Sequence, residues 1–542
     1  MTTADLIIVN AKIHTMDGLN PHADAIAVQG GRILAVGAEA DVSNVANGTT
    51  KRMDAGGRVL LPGFQDTHIH LQDSGVEFHR GVDLAGSKNI GELQARVRKQ
   101  AADTPNNVWV QGLCWDPGTF PVTELNRHLI DEAVSDRPVY LMASDGHNAV
   151  VNSMALRELN ITAETPNPPN GEIVKGDDGE PNGMLYEDAI WWALGMLPKA
   201  TKEDLLDGTK EACAHANKHG ITGVLDAMSG ERHMQVYTGL DNAGELNLRV
   251  AATSKVFPHD DLDDAMGRLN FLRETYRSEK VYMHSAKFFL DGVMENGTAS
   301  MLEDYETGGN YPIMFDEDHL EKLLIAFDAD RFQLHLHTIG DKAVRVALDG
   351  IEAARRANGP WPALHQLAHI QCIDDADIPR FAELGAVANF QPLWACPEGG
   401  TDIAVKMVGE KRARNIYAVK SVIETGAPYA ISSDWFVSTL NPFAIMAVAI
   451  TRQNIGEGPN SPAFYPEECI DVETVVRGYT TNAAAGAWRA NTTGSLARGK
   501  YADLIILDRD IFHVSPSEIA ETVVDFTMLN GEEVQRSGKF DR

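Results

Sequence analysis

The chain has 542 residues, 44% of them hydrophobic and 23% charged, a length that implies two or more domains or one large barrel carrying an insertion. Its 77 acidic and 47 basic side chains give a net charge of −30, which disfavours nucleic acid and anionic membrane as partners, since both need a basic face. Five scattered cysteines without a CxxC indicate neither a disulfide scaffold nor a zinc ribbon; with no signal-like start and no run of about 18 apolar residues, a soluble cytoplasmic protein is expected.

Short β-branched runs between Gly-rich turns open the chain: Asp5–Asn10, Lys12–Thr15, Ala25–Val28 and Arg32–Val36. Asp503–Leu507, Val523–Leu529 and Glu533–Arg536 repeat that style at the far end, with Asn530-Gly531 as a hairpin turn. Neither block is large enough for its own core, so one small composite β-sandwich built from 1–58 and 490–542 is expected. Between them strands alternate with helices such as Leu205–His219 and Leu320–Asp328, the pattern of a parallel α/β fold. Ten strands are predicted: Val59–His70, Val108–Trp115, Val139–His147, Ile221–Met228, Leu248–Phe257, Val281–Gly292, Phe332–Gly340, Ala363–Gln371, Ala386–Pro392 and Pro428–Trp435. The stretch Pro166–Gly183 reads as turns and a small hairpin. Assigning about 72–215 to an insertion after the first strand leaves eight, the count of a (β/α)8 TIM barrel over 59–489.

His68 and His70 end the first of these strands two residues apart, so both rings face one side and can share a metal. A second such pair, His335 and His337, shows that this spacing alone does not single out a site. Order along the chain adds to it: Lys287 falls on the fourth barrel strand, His337 on the fifth, His369 on the sixth and Asp434 on the eighth. Each lies toward the C-terminal end of its strand, where barrel active sites are built. Three nitrogen donors suffice for one metal, and four with a carboxylate and a bridging anion hold two. His335 and His365 compete with His337 and His369, while His284 and Glu295 compete with Lys287, which could also be a salt-bridging lysine beside a single metal. Asp434 could equally cap a helix. No G-x-S-x-G elbow accompanies Ser432 and Ser433, so a serine hydrolase is not indicated.

LPGFQDTHIHL, DGHNAVVNS, KFFLDG, HTIGDKAV, AHIQ and ISSDW, in this order, resemble the amidohydrolase superfamily and, more narrowly, its YtcJ-like branch that includes N-substituted formamide deformylases. The resemblance spans nearly the whole chain. It implies that His68 and His70 bind one divalent ion, His337 and His369 the other, and that Lys287, carboxylated by carbon dioxide, bridges both. It implies that Asp434 touches one metal and passes a proton from the attacking metal-bound hydroxide to the leaving amine. Zinc is the expected metal. His147 in the DGH stretch would contact substrate, or cap a turn; Trp115, with Trp191, Trp192, Trp394 and Trp435, would wall the pocket or pack in the core. The expected substrate is a small amide of the N-substituted formamide type and the expected assembly a homodimer. The rivals are an ester, carbamate or cyclic-amide hydrolase, a mononuclear deaminase, and a non-catalytic assembly protein on the same scaffold.

Overall fold

The computed structural model describes residues 3–540 except 106–107, 118, 121–123, 145, 147, 169–170 and 296, and the side chains of 187, 188 and 191 are likewise left undescribed. The chain divides into two compact units, Met1–Leu71 with Cys213–Arg542, and Gln72–Ala212. The first unit contains eight parallel strands: β1 (Phe64–Ile69), β2 (Ile221–Asp226), β3 (Arg249–Lys255), β4 (Val281–Phe289), β5 (Gln333–Thr338), β6 (Gln366–His369), β7 (Val387–Phe390) and β8 (Tyr429–Ile431). Each is hydrogen-bonded to the next in chain order, the arrangement of a nearly closed barrel. Closure comes just beyond the strand ends, where Asp434 N–H donates to His68 C=O at 2.8 Å and His70 N–H to Trp435 C=O at 2.9 Å.

Strands covered on both faces bury every residue, as β1, β2 and β5 do. The outward positions are apolar, such as Leu334, Leu336 and Leu367, and meet helices including Glu317–Ala329 and Asp341–Asn358. The inward positions are unusually polar and satisfy one another. Gln391 Nε2 donates to Ser432 Oγ, Ser432 Oγ to Asn389 Oδ1, Asn389 Nδ2 to Gln366 Oε1, Gln366 Nε2 to Gln333 Oε1, and Gln333 Nε2 to Gly486 C=O, all within 2.6–2.8 Å. A buried polar chain of this kind holds only because each donor finds an acceptor.

Two further sheets complete the first unit. One, of six strands, runs Glu532–Arg536, Val524–Leu529, Leu504–Leu507, Val59–Pro62, Lys12–His14, His22–Ala23, so the two ends of the chain meet as neighbouring antiparallel strands through Leu504↔Pro62 and Ile506↔Leu60. The other runs Arg32–Gly37, Ala25–Gln29, Leu6–Val9, Lys51–Asp54. Ile8, Ile26 and Val28 of the smaller sheet share a core with Leu60, Leu504 and Phe526 of the larger. Asn530 and Gly531, with φ of 53° and 77°, make the tight hairpin expected of that dipeptide. The predicted strand Val59–His70 is two strands. It breaks at Gly63, where a β-carbon would stand 2.3 Å from Thr222 Oγ1, so the first half joins the terminal sheet and the second the barrel.

The second unit has its own six-stranded sheet, ordered Gly171–Lys175, Pro181–Glu187, Asn148–Val151, Val139–Ala143, Val110–Trp115, Gly81–Asp83. The first two form the hairpin expected within Pro166–Gly183. Its core gathers Leu84, Leu93, Val97, Val110, Trp115, Leu141 and Val150. Among the described residues no helix is long and apolar enough to cross a membrane.

Arg249 at the start of β3 ties the barrel to the terminal sheet. Its guanidinium grips Asp503 twice, at 2.6 and 3.0 Å, and stacks on Tyr501, with its Cζ 3.8 Å from the ring centroid. Both partners are buried and Asp503 also accepts from Asn530 N–H. Arg249→Met strands the Asp503 carboxylate in a dry site and is expected to cost about 3–5 kcal/mol; an unchanged urea midpoint would show that this pair does not hold the two parts together.

Candidate metal centre

The barrel seam assembles the first ligands. Asp66 of β1, fully buried, accepts from the backbone N–H of His68 at 3.1 Å and from that of Ser433 at 3.1 Å, and burial pushes its carboxyl up to about 7. With the two seam bonds, these contacts fix the end of β1 against the segment after β8. His68, His70 and Asp434 consequently converge, and one ligand atom from each lies within 4.8 Å of the others. Asp434 Oδ1 stands 3.3 Å from His70 Nε2 and 3.6 Å from His68 Nε2, with no well-aligned hydrogen bond among the described residues. Burial opposes ionisation of Asp434, but the adjoining His70 and the nearby His369 and Lys287 bring its carboxyl down to about 2. His70 is pushed up by the same contact, against burial.

Lys287 is inward-facing on β4 and fully buried, with Nζ 3.3 Å from His68 Nε2. Burial, aided by the charge of Lys255, brings its ammonium down to about 7, and among the described residues it has no carboxylate at ion-pair distance. His337, at the end of β5, and His369, at the end of β6, stand ring to ring at 4.6 Å, and His369 lies 4.8 Å from the His68 ring. Burial lowers His68 well below the usual imidazole range and His337 and His369 to about 3, so all three present neutral rings with a lone pair available to a metal.

Each of these three rings is oriented from behind. His68 Nδ1 lies 2.7 Å from His335 Nε2, His337 Nδ1 faces Asp291 Oδ1 at 3.4 Å, and His369 Nδ1 lies 2.9 Å from Gln391 Oε1. Gln391 gives its Nε2 to Ser432, so its Oε1 must accept, and His369 carries its proton on Nδ1. Asp291 in turn accepts from the N–H groups of Ser300, Ile339 and Gly340. Gly340 is required there because a β-carbon would lie 2.1 Å from Ser300 C=O.

Among the competing residues, His335 supports His68, and His365 lies just before β6, bonded to Asp328 Oδ1 at 2.9 Å. His284 packs 4.3 Å from the Trp488 ring, and Glu295 accepts from Gln371. Trp115 is fully buried in the core of the second unit with its indole N–H on Leu141 C=O, so its contact there is packing and not with substrate. His147 lies outside the described residues. Asp291 stands inside the KFFLDG motif, which assigned a role only to Lys287, and Gln391 stands in no motif at all.

The sequence model of the Amidohydrolase family matches residues 51–535. The chain is 28% identical to Protein LONG AFTER FAR-RED 3 of Arabidopsis thaliana, over 98% of this chain and 91% of that protein. It is 26% identical to an N-substituted formamide deformylase of Arthrobacter pascens, over 97% of each. Its fold matches an uncharacterised metal-dependent hydrolase of Pyrococcus horikoshii with a TM-score of 0.75 at 22% identity, over 94% of this chain and 99% of that one. With an eight-stranded barrel whose mouth gathers histidines and carboxylates, and a family match over most of its length, the chain belongs to the amidohydrolase family, divalent-metal hydrolases acting on carbon–nitrogen bonds.

Proposed function

We propose that the protein hydrolyses the C–N bond of a small amide of the N-substituted formamide type, with His68, His70, Lys287, His337, His369 and Asp434 holding two divalent ions, zinc foremost, and Lys287 carrying an N-carboxylate derived from carbon dioxide. The observation that carries this reading is the convergence of His68, His70 and Asp434 within 4.8 Å, with Lys287 Nζ 3.3 Å from His68 Nε2. The donor set fits such ions. Imidazoles and a carboxylate are ordinary zinc ligands, and Asp434 Oδ1 is buried without a hydrogen bond among the described residues. A carbamate on Lys287 would replace a buried amine that has no carboxylate partner by two hard oxygens. The relative named N-substituted formamide deformylase supports the choice of substrate.

When bound, the metal supplies Lewis acidity toward a carbonyl oxygen and makes water more acidic. The chain's own groups do the rest. His335 and Gln391 bond the Nδ1 atoms of His68 and His369, and Asp291 faces that of His337, so three imidazoles are backed by side chains that direct them toward the metal site. Asp434, kept ionised, takes a proton at its carboxylate and returns it to the departing amine.

Four outcomes are expected. A panel of N-substituted formamides, longer acyl amides, cyclic amides, carbamates and esters gives formate and amine from the first class, and chelation abolishes it; turnover of another class alone would discard the formamide assignment. Lys287→Ala loses bound metal and activity together, and a 13C-bicarbonate carbamate resonance seen in the native enzyme disappears; full activity with two ions bound would refute the carbamate. Asp434→Asn lowers kcat by about 10²–10⁴-fold, and a normal kcat would remove it from proton transfer. His335→Phe and Gln391→Leu each weaken zinc affinity by about 10–100-fold in competition with a chelator, whereas native affinity would show that the rings need no support.

A further inference from the structure

Lys255 ends β3, and its register partner on β4 is Lys287. Paired residues of neighbouring parallel strands share a face, so Lys255 points into the barrel mouth beside Lys287. The two ammonium nitrogens lie against the same ring, Lys255 Nζ 4.7 Å and Lys287 Nζ 4.8 Å from the Phe289 centroid. Val256 N–H, bonded to Lys287 C=O at 2.8 Å, locks this register. Phe257, 39% exposed, supplies a second apolar wall 5.0 Å from Lys255 Nζ.

Among the described residues no carboxylate reaches Lys255 at ion-pair distance, and burial is the cause of its lowered ammonium pKa. That isolation is unexpected in a chain with 77 acidic and 47 basic residues. Arg268, which donates to Lys255 C=O, is itself paired with Asp260 at 2.7 Å, whereas Lys255 and Lys287 are both left without a carboxylate at ion-pair distance among the described residues. A half-buried cation that loses water and gains only ring faces is a place where an incoming anion completes the pairing.

We propose that Lys255 anchors a carboxylate on the substrate, while Phe257 and Phe289 receive the apolar group beside it. The inference rests on the amide-hydrolase reading of this barrel mouth and narrows it. The substrate is an N-substituted formamide whose amine part carries a carboxylate, as in an N-formylated apolar amino acid, and not a neutral formamide.

The test uses the zinc-loaded enzyme and two probes that differ only in the anion, N-formylphenylalanine and its N-methylamide, with formate release followed for each. The native enzyme is expected to favour the acid by about 10–100-fold in kcat/KM, the range of a charged hydrogen bond. Lys255→Met collapses that acid-to-amide ratio toward one, mainly through KM, and Lys255→Arg restores part of it. Equal use of the two probes by the native enzyme, or an equal loss on both in Lys255→Met, overturns the anchor and leaves the amidohydrolase reading standing. If neither probe releases formate, calorimetric binding of 3-phenylpropanoate separates the two ideas. Binding that vanishes in Lys255→Met upholds the anchor while the formamide reading falls; binding that is absent, or indifferent to Lys255, overturns the anchor as well.

Discussion

Everything at the barrel mouth depends on the seam where β1 meets the segment after β8. Two backbone hydrogen bonds, from Asp434 N–H to His68 C=O and from His70 N–H to Trp435 C=O, close the ring of strands. The buried Asp66 carboxylate fastens the same seam by accepting from His68 and Ser433. One set of contacts therefore completes the fold and sets the distances among His68, His70 and Asp434. Disturbing the closure would displace ligands, and fold and site are in this respect one structure.

Lys287 and His337 sit on regular strands, whereas His369 and Asp434 come from backbone turned out of the strand conformation. His369 has a φ of 78° and Ile370 of 50°, and Asp434 has 56°, left-handed values that non-glycine residues seldom adopt. Such strain persists where surrounding structure over-determines it. Here the polar chain from Gly486 through Gln333, Gln366, Asn389 and Ser432 to Gln391 ends on His369 and holds its ring. An apolar interior would have packed more simply. A polar interior with every member satisfied delivers a defined tautomer at the mouth.

His68, His70, Lys287, His337 and Asp434 were legible in the sequence because strand alternation and strand-end position are encoded locally. His369 was named by resemblance and by its place near a strand end, whereas strict alternation groups it with His365 and Leu367 on the outer face. The left-handed turn that brings it inward has no glycine to announce it. His335 was legible only as a rival of His337, since a ring that supports a ligand and a ring that is one look alike along the chain. Gln391 and Gln366 carry no charge and no motif, so their role emerges only when strands are brought side by side. The dipeptide Pro62-Gly63, a turn signal inside one predicted strand, marks the break between Val59–Pro62 and β1. Trp115 followed a predicted strand like a pocket residue, but that strand belongs to a separate unit with its own core to fill.

The most direct measurement is anomalous diffraction at the zinc edge from crystals of the zinc- and bicarbonate-loaded enzyme. Two peaks are expected at the barrel mouth, one against His68 and His70 and one against His337 and His369, with Asp434 at one of them. Density extending from Lys287 Nζ between them is expected as well. Peaks at other residues, or two ions with Lys287 unmodified and turned away, would contradict this assignment.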